Sequence, residues 1–268
     1  MKTTKRITAF VVFLAFFFLP AISQSFNYVT RTGTLGTTYS WIDCSTGSNI
    51  VTGDDVSANI AWPFDFQFYD SKYTTSNNLS VSTNGFIRLN GVASASATAA
   101  TNHTLSSTST ELGQIIALGV FDNNVGDANS WVRSNVSGFA PNRIFTIQYN
   151  RLEIDQNDNR YATLQVSFYE TTNKVILKFD TDNVIRAGAD IGIHSGTSGF
   201  FHKWQEVETG TNGTWIEYTI PVEVNATSGS SVAFYSNIKA AYDAINAGTH
   251  TGTINIKLHA SVTETASA

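Results

Sequence analysis

The sequence predicts an all-β protein, an antiparallel β-sandwich of jelly-roll type followed by a short C-terminal helix–strand appendage. Beyond the first 23 residues, apolar side chains alternate with polar ones or occur in short runs of β-branched and aromatic residues, as half-buried strands require. These runs recur at nearly regular spacing and are separated by turn residues such as Asn84-Gly85 and Thr172-Asn173, which is typical of sandwiches. The predicted sandwich domain spans residues 24–224.

The chain opens with the features of a secretory signal peptide. Lys2, Lys5 and Arg6 precede an apolar run over residues 7–19, and small residues follow before Gln24. We therefore predict that residues 1–23 are removed and that the protein is secreted or held at the cell surface. The apolar run is shorter than the roughly 20 residues of a spanning helix, which favours a cleaved signal over a membrane anchor. No membrane span is expected after signal removal.

The predicted strands follow in order, at residues 39–43, 60–69, 79–82, 86–90, 115–121, 131–136, 143–152, 162–170, 174–180, 190–194, 204–208 and 214–220. Within 143–152, Phe145, Ile147 and Tyr149 share one face. Ile144 lies with Thr146 on the opposite face. Because neither face is wholly polar, the pattern indicates a central strand. The core is expected to contain bulky residues of both sheets, namely Trp41, Trp62, Phe64, Phe66, Phe86, Ile87, Phe145, Ile147, Val166, Phe168, Ile176, Leu177, Ile191 and Ile193.

The pattern changes near the C-terminus. Residues 225–231 are small and polar, and we predict that they link the sandwich to an incomplete second module within 225–268. Ile238, Ala241, Tyr242 and Ile245 have helical spacing, with Gly248 where a C-cap belongs, and residues 253–258 alternate like a strand. One helix and one strand cannot bury their own apolar faces, so we expect further domains of the same polypeptide.

Composition excludes several classes of function. Only 14% of residues are charged, against about 25% in typical soluble domains, and the net charge is −5. No basic cluster follows Arg6, so nucleic acid is not an expected partner. Cys44 is the only cysteine, which rules out an intrachain disulfide, and its neighbours Asp43 and Ser45 offer no base that would activate a thiol.

One loop carries the residue types of a Ca²⁺ site. Asp122, Asn123, Asn124 and Asp127 concentrate oxygen ligands directly after a predicted strand, and Ca²⁺ takes six to eight such oxygens. The alternative is a turn whose Asx side chains bond the backbone. Residues 155–159 also space their oxygen side chains, but they lack the Gly and distal Glu of an EF-hand loop, which favours a turn.

Candidate ligand-binding residues are the aromatic side chains Trp131, Phe200 and Phe201. Aromatic rings pack against the CH faces of sugars, so an exposed cluster would fit an extracellular glycan or a matrix protein as partner. The alternative is packing in the core.

Carboxylate pairs two residues apart are the only hint of catalysis. Glu153 with Asp155, and Glu206 with Glu208, would each share one face of a strand at the separation that glycan hydrolases use. Alternating charge on a solvent-facing strand gives the same pattern. We therefore assign no catalytic residue, and no cofactor other than the possible Ca²⁺.

Several segments resemble a known family. Residues 39–43, 54–57, 62–69 and 81–87, and then 140–149, 164–173 and 191–193, are similar to the nidogen-like β-sandwich domain of secreted bacterial proteins over roughly residues 26–222. The chain departs from the family pattern at 118–122, where a Trp is expected before Asp122. Residues 238–248 resemble the first helix of a right-handed parallel β-helix.

The resemblance implies an extracellular role without catalysis. Such modules occur in large surface proteins that Gram-negative bacteria export through a type IX system, and they act in adhesion or in contact with glycans or matrix proteins. The family supplies no catalytic residues to transfer. An extracellular glycan hydrolase with carboxylates converging from separate strands, and a purely structural spacer, are the alternatives.

Overall fold

A computed structural model describes residues 28–69, 71–91, 113–154, 160–181, 189–196, 201–205, 212–259, 261–262 and 264. The predicted signal peptide at 1–23 lies outside the described residues. Every strand pairing in the described ranges is antiparallel. The described residues are about 55% strand and 5% helix, which confirms the predicted all-β class. No helix in the described ranges has the length and apolarity needed to cross a membrane.

The larger sheet has eight strands, namely β1 (Val29–Thr34), β2 (Gly53–Asp54), β9 (Asn124–Val125), β10 (Trp131–Ser137), β11 (Ile144–Ile154), β12 (Arg160–Tyr169), β13 (Val175–Phe179) and β16 (Thr214–Thr219). Their order in the sheet is β1-β16-β13-β12-β11-β9-β2, with β10 also paired to β11. The four consecutive strands β10 to β13 form a meander, which places the long central pair β11–β12 in the middle of the sheet.

The second sheet has six strands, namely β3 (Ser57–Ala61), β6 (Asn78–Ser82), β7 (Phe86–Arg88), β8 (Gln114–Val120), β14 (Asp190–Ser195) and β15 (Phe201–Gln205). Their order in the sheet is β15-β14-β8-β7-β6-β3. A short hairpin pairs β4 (Phe66–Phe68) with β5 (Ser71–Tyr73), and a small third sheet, ordered β18-β17-β19, holds β17 (Val222–Gly229), β18 (Val232–Tyr235) and β19 (His250–Leu258).

The core lies between the two main sheets. Phe145, Ile147 and Val166 of the larger sheet are buried in one cluster with Ile87 and Ile191 of the smaller one. Aromatic rings fill one end, where the Trp62 ring stacks on Phe66 at 5.2 Å and meets Phe168 edge-on at 5.0 Å. The predicted core residues are buried, with one exception: Trp41 is only partly buried.

The outer face of the larger sheet is covered by residues 35–50, named here the covering segment. The Ile42 N–H donates to Gln165 Oε1 at 3.2 Å, the Tyr39 hydroxyl donates to the buried Glu217 carboxylate, and the Cys44 thiol lies 3.8 Å from the Thr146 carbonyl. The predicted strand at 39–43 is wrong, because residues 39–43 bond to side chains of the sheet and form no strand ladder.

The predicted strand at 60–69 is also wrong as a single element. Strand β3 ends at Ala61 and β4 begins at Phe66. Pro63 stands between them and has no N–H to donate to a ladder, so the chain turns there. Trp62 and Phe64 fill the core on either side of this break.

The C-terminal part confirms the predicted helix, α1 (Ile238–Asn246). Asn237 caps its first turn by accepting from the Ala240 N–H, and Gly248 follows the last turn at φ +77°. The helix packs on the small sheet around Val224 and Ala241. The residues predicted as a linker, 225–231, form most of β17 and the turn to β18, so strand pairing runs through them.

Candidate functional site

A cleft of about 570 Å³ lies between the sandwich and the β17–β18 hairpin. Its walls come from three parts of the chain. These are the β4–β5 hairpin with Lys72 and the preceding Asp65, the β12–β13 turn with Glu170, Thr171 and Asn173, and β17–β18 with Glu223 and residues 231–234. The volume falls within the roughly 300–1,000 Å³ of small-molecule sites.

The β12–β13 turn is held in a special backbone conformation. Thr171 and Asn173 have φ of +66° and +51°, a region that Asn tolerates better than most residues. Asn173 Oδ1 accepts from the Gln67 N–H at 2.8 Å, which fastens the turn to β4. Strands β12 and β13 pair antiparallel on either side of the turn, which confirms the hairpin predicted at Thr172-Asn173, and Thr171 and Asn173 line one wall of the cleft.

The carboxylates of the cleft are paired with cations. Asp65 Oδ2 lies 2.9 Å from Lys72 Nζ, and Arg143 donates to both oxygens of Glu170 at 2.9 and 2.7 Å. The bonds from Arg143 hold the pKa of Glu170 below its usual range. The cleft therefore presents charged groups whose charges are already compensated.

Glu223 is the most strongly held of these acids. It accepts from His259 Nε2 at 2.6 Å, from Asn225 Nδ2 at 2.6 Å and from Lys257 Nζ at 3.2 Å. These bonds, the one from His259 first, lower the pKa of Glu223 to about 2. The side chain bridges β17 and the end of β19, so it belongs to the framework of the cleft.

An exposed aromatic side chain lies on a loop that is bonded to the cleft wall. Phe139 is 90% exposed in the β10–β11 loop. The loop is held internally by the Asn142 N–H, which donates to the Phe139 carbonyl at 2.8 Å. Thr171, at the cleft wall, donates its hydroxyl to the Pro141 carbonyl at 2.6 Å. The sequence reasoning missed Phe139, although the run Gly138-Phe139-Ala140-Pro141 between two strands was a usable signal for an exposed loop tip.

The structure places the predicted aromatic residues differently. The guanidinium of Arg133 lies 4.7 Å from the centre of the Trp131 ring, so one face of this ring is already occupied. Phe200 lies outside the described residues, and Phe201 begins β15. Their role in ligand binding stays a prediction.

A second polar centre lies where β2 and β9 pair. Ligand atoms of Asp54, Asp55 and Asp122 lie within 4.8 Å of one another, and these three residues are named here the acidic cluster. Burial, and then the charges of Asp55 and Asp122, raise the pKa of Asp54. Three carboxylates this close repel one another unless a proton or a cation intervenes.

Buried amides hold the acidic cluster in place. Asn84 donates from Nδ2 to Asp55 Oδ1 at 2.8 Å, and its Oδ1 accepts from the Asn123 N–H at 2.9 Å. Gly85 follows at φ +76°, where an added Cβ would lie 2.9 Å from the Gly119 carbonyl oxygen. The Asn84-Gly85 turn thus fixes both the Asp55 carboxylate and the loop that carries Asp122.

The predicted Ca²⁺ ligands are divided by the fold. Asp122 joins the acidic cluster, Asn123 is buried and donates to the Gly119 carbonyl at 2.9 Å, and Asn124 donates to Glu153 at 3.3 Å. Asp127 instead pairs with Arg151 at 3.0 Å. The Ca²⁺ hypothesis stays a prediction, with Asp54 and Asp55 as ligands that the sequence reasoning missed.

Two other sequence hypotheses meet the structure only in part. Glu153 lies on β11, but its proposed partner Asp155 is outside the described residues, as are Glu206 and Glu208. The thiol of Cys44 is buried, and burial raises its pKa to about 12. A protonated, enclosed thiol is the opposite of a catalytic cysteine.

No curated protein and no solved structure matched the chain. The model of one family, described as NIDO related, matches residues 27–236, a range that includes both main sheets and the β17–β18 hairpin. Because this match spans most of the 268 residues, the chain belongs to the NIDO-related family.

Proposed function

We propose that this chain is an extracellular, non-catalytic binding module that attaches a larger cell-surface protein to a glycan or a matrix protein. Membership of the NIDO-related family supports the extracellular setting, since such domains are typical of extracellular proteins. Adhesion is the role that fits a module with a defined cleft and a neutralised, hydroxyl-rich surface.

The observation that carries this proposal is the state of the acids in the cleft. A glycan hydrolase needs a carboxylic acid whose pKa is raised, so that it can donate a proton. The pKa values of Glu170 and Glu223 are instead lowered by their cationic partners. Such carboxylates accept hydrogen bonds well and donate protons poorly, which favours binding over hydrolysis.

The test is binding of residues 24–268 to a glycan array and to immobilised matrix proteins. A fragment that ends near residue 222 would lack β18, which forms a wall of the cleft. Saturable binding to either class supports the proposal. Silence across both panels, with a folded protein, would leave the spacer as the better reading.

The hydrolase alternative has one observation in its favour, the raised pKa of Asp54 in the acidic cluster. Reducing-sugar release from the glycans of the same array would detect such an activity. A rate that Asp54→Asn abolishes, with binding retained, would replace the proposal by an enzyme.

Export through a type IX system and a following parallel β-helix module are further parts of the proposal. The first is supported by the nidogen-like resemblance, and the second by the resemblance of residues 238–248. Surface display of the protein in a host with and without a type IX apparatus would test the export route.

A further inference from the structure

We infer that the cleft binds a neutral glycan and that Phe139, on the loop bonded to the cleft wall, is the aromatic platform for a sugar ring. The inference rests on the proposed binding function and adds the ligand class and the site. Three features of the described residues support it: the compensated charges, the hydrogen-bonding groups that remain, and the position of Phe139.

Compensated charges disfavour an ionic ligand. Asp65 is paired with Lys72, Glu170 with Arg143, and Glu223 with Lys257 and His259. An ionic ligand that displaced the cations from Glu170 or Glu223 would leave a largely buried carboxylate uncompensated, which is costly. The Asp65–Lys72 pair is more than half exposed and contributes less. A neutral ligand leaves all the pairs intact.

The same groups still have hydrogen-bonding capacity for hydroxyls. A paired carboxylate keeps free lone pairs, and a lysine ammonium has three donors, so the Asp65–Lys72 pair can both accept from and donate to a sugar hydroxyl. Hydrogen bonds to charged groups are stronger than neutral ones. Sugar hydroxyls both donate and accept, and therefore suit a wall of this kind.

Phe139 supplies the apolar part of such a site. Its loop is attached to the cleft wall by the bond between the Thr171 hydroxyl and the Pro141 carbonyl, and the side chain is 90% exposed. This bond holds the loop backbone, and an exposed aromatic ring on it can pack against the CH face of a sugar. A standard protein partner would need about 800 Å² of complementary surface, whereas a cleft of about 570 Å³ has the size of a site for a short oligosaccharide.

The experiment measures binding of residues 24–268 to neutral hexasaccharides of glucose, mannose, galactose and xylose by calorimetry. Hyaluronate oligomers and heparin serve as charged probes, and immobilised matrix proteins are tested in parallel. Phe139→Ala removes the platform, and Ser231→Trp fills the cleft from the exposed β17–β18 turn. Tyr242→Ala is the matched control, since this side chain is 53% exposed on α1 and does not line the cleft. Thermal melts verify that each variant is folded.

We expect at least one neutral hexasaccharide to bind, with an affinity that falls about tenfold or more in Phe139→Ala and in Ser231→Trp, and is unchanged in Tyr242→Ala. Neutral binding that both variants leave intact would overturn the site. Binding of charged glycans or matrix proteins alone would overturn the ligand class while the proposed function stands. Silence toward every probe would overturn both.

Discussion

Lys178 is expected to destabilise the folded protein at neutral pH. It lies on β13 beneath the covering segment, is 1% exposed, and its Nζ donates to the Ser167 hydroxyl at 3.2 Å. Burial lowers the pKa of Lys178 from 10.5 to about 8, because an ammonium loses hydration in the interior.

The direction of the pH dependence of stability follows from the protons bound in the folded and the unfolded state. Between pH 8 and 10.5 the folded protein has released this proton while the unfolded chain still holds it. The free energy of unfolding therefore rises with pH across this window. The difference between the unfolded-state pKa of 10.5 and the folded-state pKa of about 8 corresponds to about 3 kcal/mol of folding stability. This stability is lost as the pH falls from 10.5 toward 8.

The assay is urea unfolding of the wild type and Lys178→Met from pH 7 to 10.5. Methionine keeps the length of the side chain without the charge, and Ser167 keeps its bond to the Thr146 hydroxyl at 2.8 Å. Buried tyrosines such as Tyr149, whose pKa burial raises, reduce stability at alkaline pH. They are present in both proteins, so the difference between the two isolates Lys178.

We expect Lys178→Met to be more stable at pH 7 by about 1–3 kcal/mol and the gap to close toward pH 10.5. Lys239→Met, which alters an exposed helix pair with Asp243, should change stability by less than about 0.5 kcal/mol at any pH. A gap that stays constant over this range, or a Lys178→Met protein that is much less stable at pH 7, would refute the reasoning.

Three further predictions concern the framework of the two sites. Glu223→Gln should lower the free energy of unfolding by about 1–2 kcal/mol at pH 7, after allowance for solvent screening. The stabilisation from the lowered pKa of Glu223 is present above pH 4 and is lost as the pH falls toward about 2, so urea unfolding at pH 7 and at pH 2.5 measures it. Asp54→Asn should raise the melting temperature in chelator at pH 7 and have less effect at pH 4, since a raised pKa makes the ionised Asp54 unfavourable in the folded protein. If Ca²⁺ binds at the acidic cluster, millimolar Ca²⁺ should stabilise the wild type and not the variant. Gly85→Ala should cost about 2 kcal/mol or more by thermal unfolding, because φ is +76° and the new Cβ would meet the Gly119 carbonyl.

Each of these has a contradicting outcome. Equal stability of Glu223→Gln and wild type at pH 7 would mean that His259 and Lys257 contribute nothing through this carboxylate. A melting temperature of the wild type that neither chelator nor Ca²⁺ changes would remove the Ca²⁺ hypothesis. A Gly85→Ala protein as stable as the wild type would show that the turn relaxes without cost.

Local patterns in the sequence were enough to predict the class of fold. The alternation at 143–152 reflects the two-residue period of a strand, and Ile238, Ala241 and Ile245 reflect the period of a helix, so β11 and α1 were predicted near their observed bounds. The predicted single strand at 60–69 failed because Pro63 interrupts the ladder, a signal that was present in the sequence but was outweighed by the apolar run.

The sites depended on the tertiary structure. The cleft joins Asp65, Glu170 and Glu223, which lie far apart along the chain, and no local period indicates that β17–β18 would pack beside the β12–β13 turn. The carboxylate of Asp122 meets Asp54 because β9 pairs with β2, while Asp127 turns to Arg151. The sequence by itself determined the class of fold and the positions of strands such as β11, because a strand pattern depends on neighbours two positions away. It did not predict β1 or β17. Which strands and loops meet depends on long-range pairing and burial, and only the tertiary structure decided it.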